Sequence, residues 1–229
     1  MHFEAKPMPR ESLPKVGSEE WNEFLKSFIR QGFAHVRQGQ KVSKKSRSLR
    51  GEPMECGVVP SDSQGRLSSA GWHTRTSRHQ KPFEQFSQGL YDDHTQNERE
   101  YIEDLKEVEC LETFQSNVQI WNNRYRFTWP TANRDFIVIV FRVALPPHPE
   151  PFSEAHEELT MGMAPWLPES VASSKPQANG LKSFMVLSQP VSGAEVPNYL
   201  RSYYSSIEAV RQLSDTELEW LYVSCANLE

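Results

Sequence analysis

The stretch that decides the fold is Phe127–Val140, which reads FTWPTANRDFIVIV. Pro130 ends one extended segment, because proline has no backbone N–H for a strand ladder, and Asn133 suits a tight turn. After the turn, side chains alternate between two faces: Arg134, Phe136, Val138, Val140 and Arg142 share one face, and Asp135, Ile137, Ile139, Phe141 and Val143 share the other. A strand that is apolar on both faces is typical of a sheet covered on both sides. Arg134 and Asp135 are interpreted as a salt bridge that anchors the turn.

Period-two patterns outside this stretch predict the rest of the sheet. Five further strands are expected, at about 106–115, 117–128, 181–190, 198–212 and 217–226. The last two form a hairpin around Ser214 and Asp215. An earlier strand over 71–79 carries polar side chains on one side, namely His73, Arg75, Ser77 and His79.

Helical periodicity occurs mainly before residue 106. Ser18 is typical of an N-cap, and a three- and four-residue repeat of large apolar residues predicts an amphipathic helix over 18–37. Pro82 starts a second helix, and Asp92 or Asp93 starts a third that runs through Leu105. Segregated helices and a long run of strands predict an α+β fold with a curved antiparallel sheet.

Three segments have a different composition. Residues 1–17 are expected to form an extended arm, and residues 18–229 a single domain that contains two long loops. Residues 38–70 are interpreted as a flexible basic loop, in which the run over 41–50 offers at most a peripheral contact with an anionic membrane. Residues 146–180 are rich in proline and are predicted to form a mobile lid, with Met161 and Trp166 contacting the mouth of a pocket.

Composition excludes several classes of protein. The 229 residues carry 25 basic and 30 acidic side chains, and the net charge of −5 argues against nucleic-acid binding. The longest strongly apolar run, 136–141, is far too short to span a bilayer, and the first residues do not resemble a signal peptide. Three scattered cysteines favour a reducing, cytoplasmic location. Because no nucleotide, redox or zinc motif is present, no cofactor and no metal are expected.

Four blocks of the chain resemble a known superfamily. The Trp129-Pro130 turn with Arg134-Asp135-Phe136 is similar to the signature of START lipid-transfer domains. The other blocks resemble one subfamily, the START-like domains of unknown function found in filamentous fungi: Trp72 with Arg75, Ser77 and His79; Gly89–His94 with Glu98 and Tyr101; and Tyr204–Arg211 with Glu219 and Trp220. Together they cover about 70–225.

The resemblance implies a helix-grip fold, in which a curved sheet wraps a C-terminal helix and encloses a hydrophobic cavity. Here the chain ends at Leu228-Glu229, where that helix should begin, so the grip helix is expected to be missing or truncated. The 18–37 helix, a partner chain or a homo-oligomer would then have to cover the cavity, because a large apolar surface does not otherwise face water.

Several polar side chains are candidates for chemistry in such a cavity. His73, His79 and Glu208 are candidate acid–base groups, and Arg75 and Arg124 are candidate ligands for a carboxylate or enolate. Tyr125, Phe136, Val138 and Tyr204 are candidate wall residues. His94 and Glu98 are one helical turn apart, and this spacing is more typical of a surface pair than of a metal or acid–base element.

Three functions remain open on this basis. The favoured one is binding of a polyketide-like or lipid molecule, with cofactor-independent cyclisation or dehydration in secondary metabolism. The alternative is a non-catalytic lipid or sterol carrier, and the third is a scaffold with a vestigial pocket. The polarity of the cavity wall distinguishes them, since converging titratable groups favour an enzyme and an apolar wall with one polar end favours a carrier.

Overall fold

The computed structural model describes residues 4–42, 44–49, 52–59, 71–163 and 180–227. A 3₁₀ turn at Arg10–Ser12 precedes fourteen regular elements. In chain order they are α1 (Glu19–Lys41), β1 (Lys44–Leu49), β2 (Glu52–Val59), β3 (Trp72–His79), α2 (Phe83–Leu90), α3 (His94–Tyr101), β4 (Leu105–Gln115), β5 (Val118–Tyr125), β6 (Arg134–His148), α4 (Glu154–Gly162), β7 (Leu181–Pro190), β8 (Leu200–Arg201), β9 (Tyr203–Gln212) and β10 (Leu218–Asn227).

All ten strands belong to one curved sheet. Nine of them follow the order β1-β2-β3-β10-β9-β7-β6-β5-β4, and β8 pairs beside β6. Every neighbouring pair is antiparallel except β6 and β8, which are parallel. The predicted α+β class and the antiparallel sheet of at least six strands are confirmed.

Helix α1 covers one face of this sheet. Ser18 caps it, since its Oγ accepts a hydrogen bond from the Trp21 N–H at 3.1 Å. Trp21, Phe28 and Ile29 are at most 1% exposed and share a core with one face of β6, which supplies Ile137, Ile139 and Phe141. Helix α4 lies beside α1, where Arg37 and Glu157 form an ion pair at 2.7 Å. We call this side of the sheet the α1 face.

Helices α2 and α3 pack on the opposite side, called the groove face below. Phe83 contacts Phe184 of β7, with 5.7 Å between ring centroids, and Phe86 contacts Trp220 of β10 at 5.9 Å. A second core lies here and contains the other face of β6, including Val138 and Val140. The alternation predicted for β6 is therefore confirmed, with one apolar set in each core.

The turn before β6 differs from the prediction in one ion pair. Asn133 Oδ1 accepts a hydrogen bond from the Phe127 N–H at 3.2 Å, so the turn is tight as expected. Asp135, however, pairs with Arg201 of β8 at 2.6 Å, whereas Arg134 donates to Ser202 Oγ at 2.7 Å. The interpretation of Arg134–Asp135 as a salt bridge is corrected, because adjacent residues of a strand point to opposite faces.

Two segments that were expected to be loops contain regular structure. Much of 38–70 is the end of α1 and an antiparallel hairpin of β1 and β2, so the flexible basic loop is corrected for residues 38–42, 44–49 and 52–59. Within 146–180, residues 146–148 end β6 and Glu154–Gly162 forms α4, so the predicted loop is corrected for these residues as well. Among the described helices, none is long and apolar enough to cross a membrane.

Candidate functional site: a groove beside a buried acid cluster

A groove of about 800 Å³ lies on the groove face, where β1, β2, β3 and β10 run side by side. Its lining combines cationic side chains with exposed apolar surface, and Val58 is 54% exposed there. The lining includes the side chains of Lys45, Arg47, Val58, His73, Arg75 and Tyr222. Ligand pockets for small molecules commonly measure about 300–1,000 Å³, so this groove is of sufficient size.

Strand register brings these residues together although they are distant in sequence. Cross-strand partners share a face of a sheet, and one row of partners crosses seven strands: Lys45, Cys56, Arg75, Tyr222, Glu208, Val186 and Arg142. The row starts at the basic edge strand with Lys45, passes Arg75, Tyr222 and Glu208, and reaches Val186 of the second core before Arg142. A polar path therefore runs from the groove towards the middle of the sheet.

Arg75 occupies the centre of the groove wall. Its guanidinium carbon lies 5.2 Å from the ring centroids of both Trp220 and Tyr222. Cation–π contacts of this kind hold an arginine in place while leaving its N–H groups available for an acceptor. On the other side of Trp220, Tyr101 and Phe86 line a smaller pocket of about 510 Å³.

A buried acidic cluster lies next to this wall. His94 Nε2 of α3 is 3.4 Å from Glu208 Oε1 of β9 and 3.7 Å from Glu98 Oε1 of α3. The side chains of His94 and Glu208 are 4% and 6% exposed. The expectation that His94 and Glu98 form a surface pair is thus corrected, since α3 packs this side of the helix against the sheet.

Burial shifts the pKa values of the whole cluster. It lowers the pKa of His94 to about 4, and it raises the pKa of Glu208 to about 7 although the charge of Arg75 acts in the opposite direction. Burial and the neighbouring Glu208 carboxylate also raise the pKa of Glu98 well above its usual range. Each shift favours the neutral form, as desolvation requires.

Aromatic residues continue the groove face beyond the cluster. Phe136 contacts Tyr125 and Tyr204 with ring-centroid distances of 5.4 and 5.2 Å. Burial, followed by the charge of Glu98, raises the pKa values of both tyrosines, and burial raises that of Tyr222 to about 12. These phenols therefore remain protonated at neutral pH and can donate hydrogen bonds.

The structure brings only some of the residues that the sequence singled out to the groove. His73 and Arg75 line the groove, and Glu208 lies one strand beyond Tyr222. His79 is at the other end of β3, where its ring is 4.9 Å from that of Phe86 and its Nε2 is 2.8 Å from Ser77 Oγ. Val138 is fully buried in the second core, so it supports the wall rather than forming its surface.

Two expected ligand contacts, Arg124 and Met161, lie away from the groove. Arg124 is opposite Asp135 and Glu107 in the strand register, so it is on the other face from Tyr125, and it pairs with Glu107 at 3.0 Å. Met161 packs against the α1-face core and not at the groove, because α4 lies beside α1. Both placements correct the expectations. Trp166 lies outside the described residues.

Sequence reasoning missed one aromatic pair, Tyr222 in the groove wall and Trp220 beside Arg75, and one basic pair at the edge, Lys45 and Arg47. The first pair could have been found by counting from the β9–β10 turn, because antiparallel pairing around 213–217 places Tyr222 opposite Glu208. The second pair has no comparable local signal, since it depends on the pairing of β2 with β3.

Comparisons with known proteins agree with this architecture. A family model described as "Protein of unknown function (DUF3074)" matches residues 72–227. No curated protein sequence matches the chain. Among solved structures, human StAR-related lipid transfer protein 5 superposes with a TM-score of 0.60 at 9% identity, covering 93% of this chain and 85% of that one.

Two further human structures are similar. The lipid transfer and protein localization domain of StarD13 (DLC2) has a TM-score of 0.51 at 11% identity and covers 88% of this chain and 83% of that one. Human STARD10 has a TM-score of 0.51 at 12% identity, and the match covers 94% of this chain and 70% of that one. The expected START-like helix-grip fold is therefore confirmed.

Proposed function

The chain belongs to the DUF3074 family of proteins of unknown function, and we propose that it binds a hydrophobic small molecule with an acidic or other electron-rich oxygen at one end. The groove carries this proposal. It has a suitable volume, apolar surface at the exposed Val58 and the half-buried Tyr222, and a basic side formed by Lys45, Arg47 and Arg75. An amphipathic lipid or a polyketide-like acid matches that combination. The names of the similar structures, which mention lipid transfer, point in the same direction.

Arg75 is the residue on which the orientation of the ligand depends in this proposal. Because its guanidinium is held between two aromatic rings, it can accept a carboxylate without losing much side-chain freedom. The apolar part of the ligand would then lie along Val58 and Tyr222. A non-catalytic carrier requires nothing more than this arrangement.

The binding experiment uses a fluorescent fatty acid and its neutral methyl ester. We expect the wild type to bind the acid more tightly than the ester, and Arg75→Ala to remove most of that preference. Arg78→Ala is the matched control, because Arg78 is on the same strand but faces away from the groove and is 65% exposed in its pair with Glu219. Equal affinity of the wild type and Arg75→Ala for the acid would contradict the proposal.

A second candidate is acid–base catalysis of a cofactor-independent cyclisation or dehydration. The observation that favours it is that Glu208 and Arg75 flank Tyr222 in the strand register, with His73 two residues from Arg75 on the same sheet face. In this proposal His73, His79 and Glu208 move protons while Arg75 stabilises an enolate. The test is the product profile of a reactive polyketone: a wild type that leaves the spontaneous products unchanged is a carrier, and one that changes them through Glu208 is an enzyme.

The location and assembly of the protein remain predictions. A cytoplasmic carrier, a peripheral membrane contact through 41–50 and a homo-oligomer that covers the groove are all compatible with a basic edge strand. Vesicle sedimentation with and without anionic lipid, and light scattering, would decide between these possibilities.

A further inference from the structure

The cluster of His94, Glu98 and Glu208 has the composition of a metal site. One ligand atom from each residue lies within 4.8 Å of the other two. His94 and Glu98 are separated by one turn of α3, which places both side chains on the same side of the helix, and Glu208 faces them from β9. The site is thus built on two rigid elements and needs no loop to close it.

The hydrogen bond of His94 determines which ring nitrogen faces the carboxylates. Its Nδ1 is 2.8 Å from the Leu90 carbonyl oxygen, and a carbonyl oxygen can only accept. Nδ1 therefore carries the proton, and in the neutral ring Nε2 presents a lone pair to Glu98 and Glu208. A backbone carbonyl that orients the imidazole in this way is the usual outer partner of a metal-binding histidine.

Three acceptor groups that face one another need either a proton or a metal cation between them. Among the described residues, no lysine or arginine nitrogen lies within 4.0 Å of either carboxylate. Arg142 donates to the Tyr91 carbonyl, and Arg75, whose guanidinium lies over Trp220 and Tyr222, acts on Glu208 only from beyond 4.0 Å. A buried pair of carboxylates without a cation is costly.

The spacing of the ligand atoms fits a small divalent ion. Metal–ligand bonds of about 2.1 Å in a tetrahedral zinc site place neighbouring ligands roughly 3.4 Å apart, and His94 Nε2 is 3.4 and 3.7 Å from the two carboxylate oxygens. We propose that His94, Glu98 and Glu208 bind a divalent transition-metal ion of the zinc class, with water as the fourth ligand. Two carboxylates neutralise the charge of the ion, and the imidazole favours zinc over magnesium.

This proposal does not depend on what the groove binds. The ion would be located next to Tyr222 and Arg75, where it could polarise an oxygen of a bound molecule. The same site would also stabilise the protein, because an ion that binds only the folded chain shifts unfolding to higher temperature.

The experiment is metal titration of the full chain after treatment with a chelator. We expect one equivalent of Zn²⁺ to bind per chain, more tightly than Mg²⁺, and to raise the melting temperature. Glu98→Gln and Glu208→Gln should each weaken Zn²⁺ at least about tenfold. Glu100→Gln, on an exposed position of the same helix, and His148→Ala, which removes a histidine stacked on His156, should leave the affinity unchanged.

A measurement on the wild type tests the proposal even if the variants fail to fold. Co²⁺ in the same site should show the strong visible absorption of a four-coordinate ion, and added Zn²⁺ should remove it. No stoichiometric Zn²⁺ binding by the wild type, a six-coordinate cobalt spectrum, or wild-type affinity in both glutamine variants would each overturn the proposal.

Discussion

Removing the Arg201 side chain should destabilise the protein strongly, because it leaves the carboxylate of Asp135 buried without its partner. Asp135 is 0% exposed, and both of its oxygens accept hydrogen bonds from the Arg201 guanidinium at 2.6 to 3.1 Å. Arg201 also donates to the carbonyl oxygens of Gly193 and Ala194. The pair thus connects β6, β8 and the loop that leads to β8.

The size of the effect follows from the burial of the two partners. Removing one partner of a buried ion pair costs about 3–5 kcal/mol. Because 14% of the Arg201 side chain is exposed, water can partly solvate the remaining carboxylate, and we expect Arg201→Ala to cost about 3 kcal/mol. For a domain of this size, that corresponds to a fall in melting temperature of about 6–12 °C.

Urea unfolding followed by circular dichroism measures this loss. The comparison requires that the free energy of unfolding falls with urea concentration at the same slope in the wild type and the variant. Arg126→Ala is the matched control, since Arg126 is 56% exposed in its pair with Glu107 and such pairs contribute at most about 1 kcal/mol. Adding Asp135→Asn to Arg201→Ala should recover part of the stability by removing the buried charge. A loss below about 1 kcal/mol for Arg201→Ala, equal to that of the control, would refute the reasoning.

Three further predictions concern the core, a helix cap and the basic edge of the groove. Phe28→Ala should lower the free energy of unfolding by about 3–5 kcal/mol, because the ring is 1% exposed between α1 and the sheet; a loss under about 1 kcal/mol would mean that this side of α1 does not pack. Ser18→Ala should cost about 1 kcal/mol in the same assay and Ser18→Asp much less, since aspartate also caps; equal losses would exclude capping as the cause. Lys45→Glu combined with Arg47→Glu should weaken the fluorescent fatty acid about tenfold or more and leave its methyl ester unaffected; parallel losses for both probes would indicate damage to the groove instead of a lost charge contact.

The central part of the fold was predictable because its signals are local. The β6 stretch alternates two apolar sets, Pro130 and Asn133 mark the turn, and Ser18 marks the start of α1, so each element could be assigned from its own residues. The two faces of β6 could also be assigned, because a strand has only two faces and both sets are apolar.

Strand β1 was missed because it lies at the edge of the sheet. Much of β1 is exposed on both faces, including Lys45, Ser46, Arg47 and Ser48, so no apolar alternation marks it. Charged residues, especially lysine, are common on edge strands because they prevent pairing with other chains. Here that composition also made a strand resemble a loop.

The end of α1 was placed too early for a related reason. The helix was predicted to end at residue 37, before Gly39, but α1 continues to Lys41. At Gly39 an added Cβ would lie 3.1 Å from Val223 Cγ2, so the glycine permits the close approach of α1 to β10. Local propensity cannot show this, because the reason for the glycine lies in a partner nearly two hundred residues away.

The candidate site was predictable only in part. Arg75, His73 and Glu208 were candidates on strand faces that could point inward, and the structure places all three on the groove face. The pairing of His94 with Glu208 could not be predicted from the sequence, because it depends on how α3 packs on β9. The prediction for Arg124 was wrong for a different reason. Alternation shows that Arg124 and Tyr125 lie on opposite sides of the sheet, but it does not show which side carries the groove.

The central claim is that a hydrophobic ligand occupies the groove face, and photoaffinity labelling tests it most directly. A fatty acid that carries a diazirine on its chain is irradiated with the wild type, and the labelled peptides are identified by mass spectrometry. We predict labels on β2, β3 and β10, at and around Val58 and Tyr222, that decrease when unlabelled fatty acid competes. Competable labels confined to α1 and α4, on the other side of the sheet, would contradict the account.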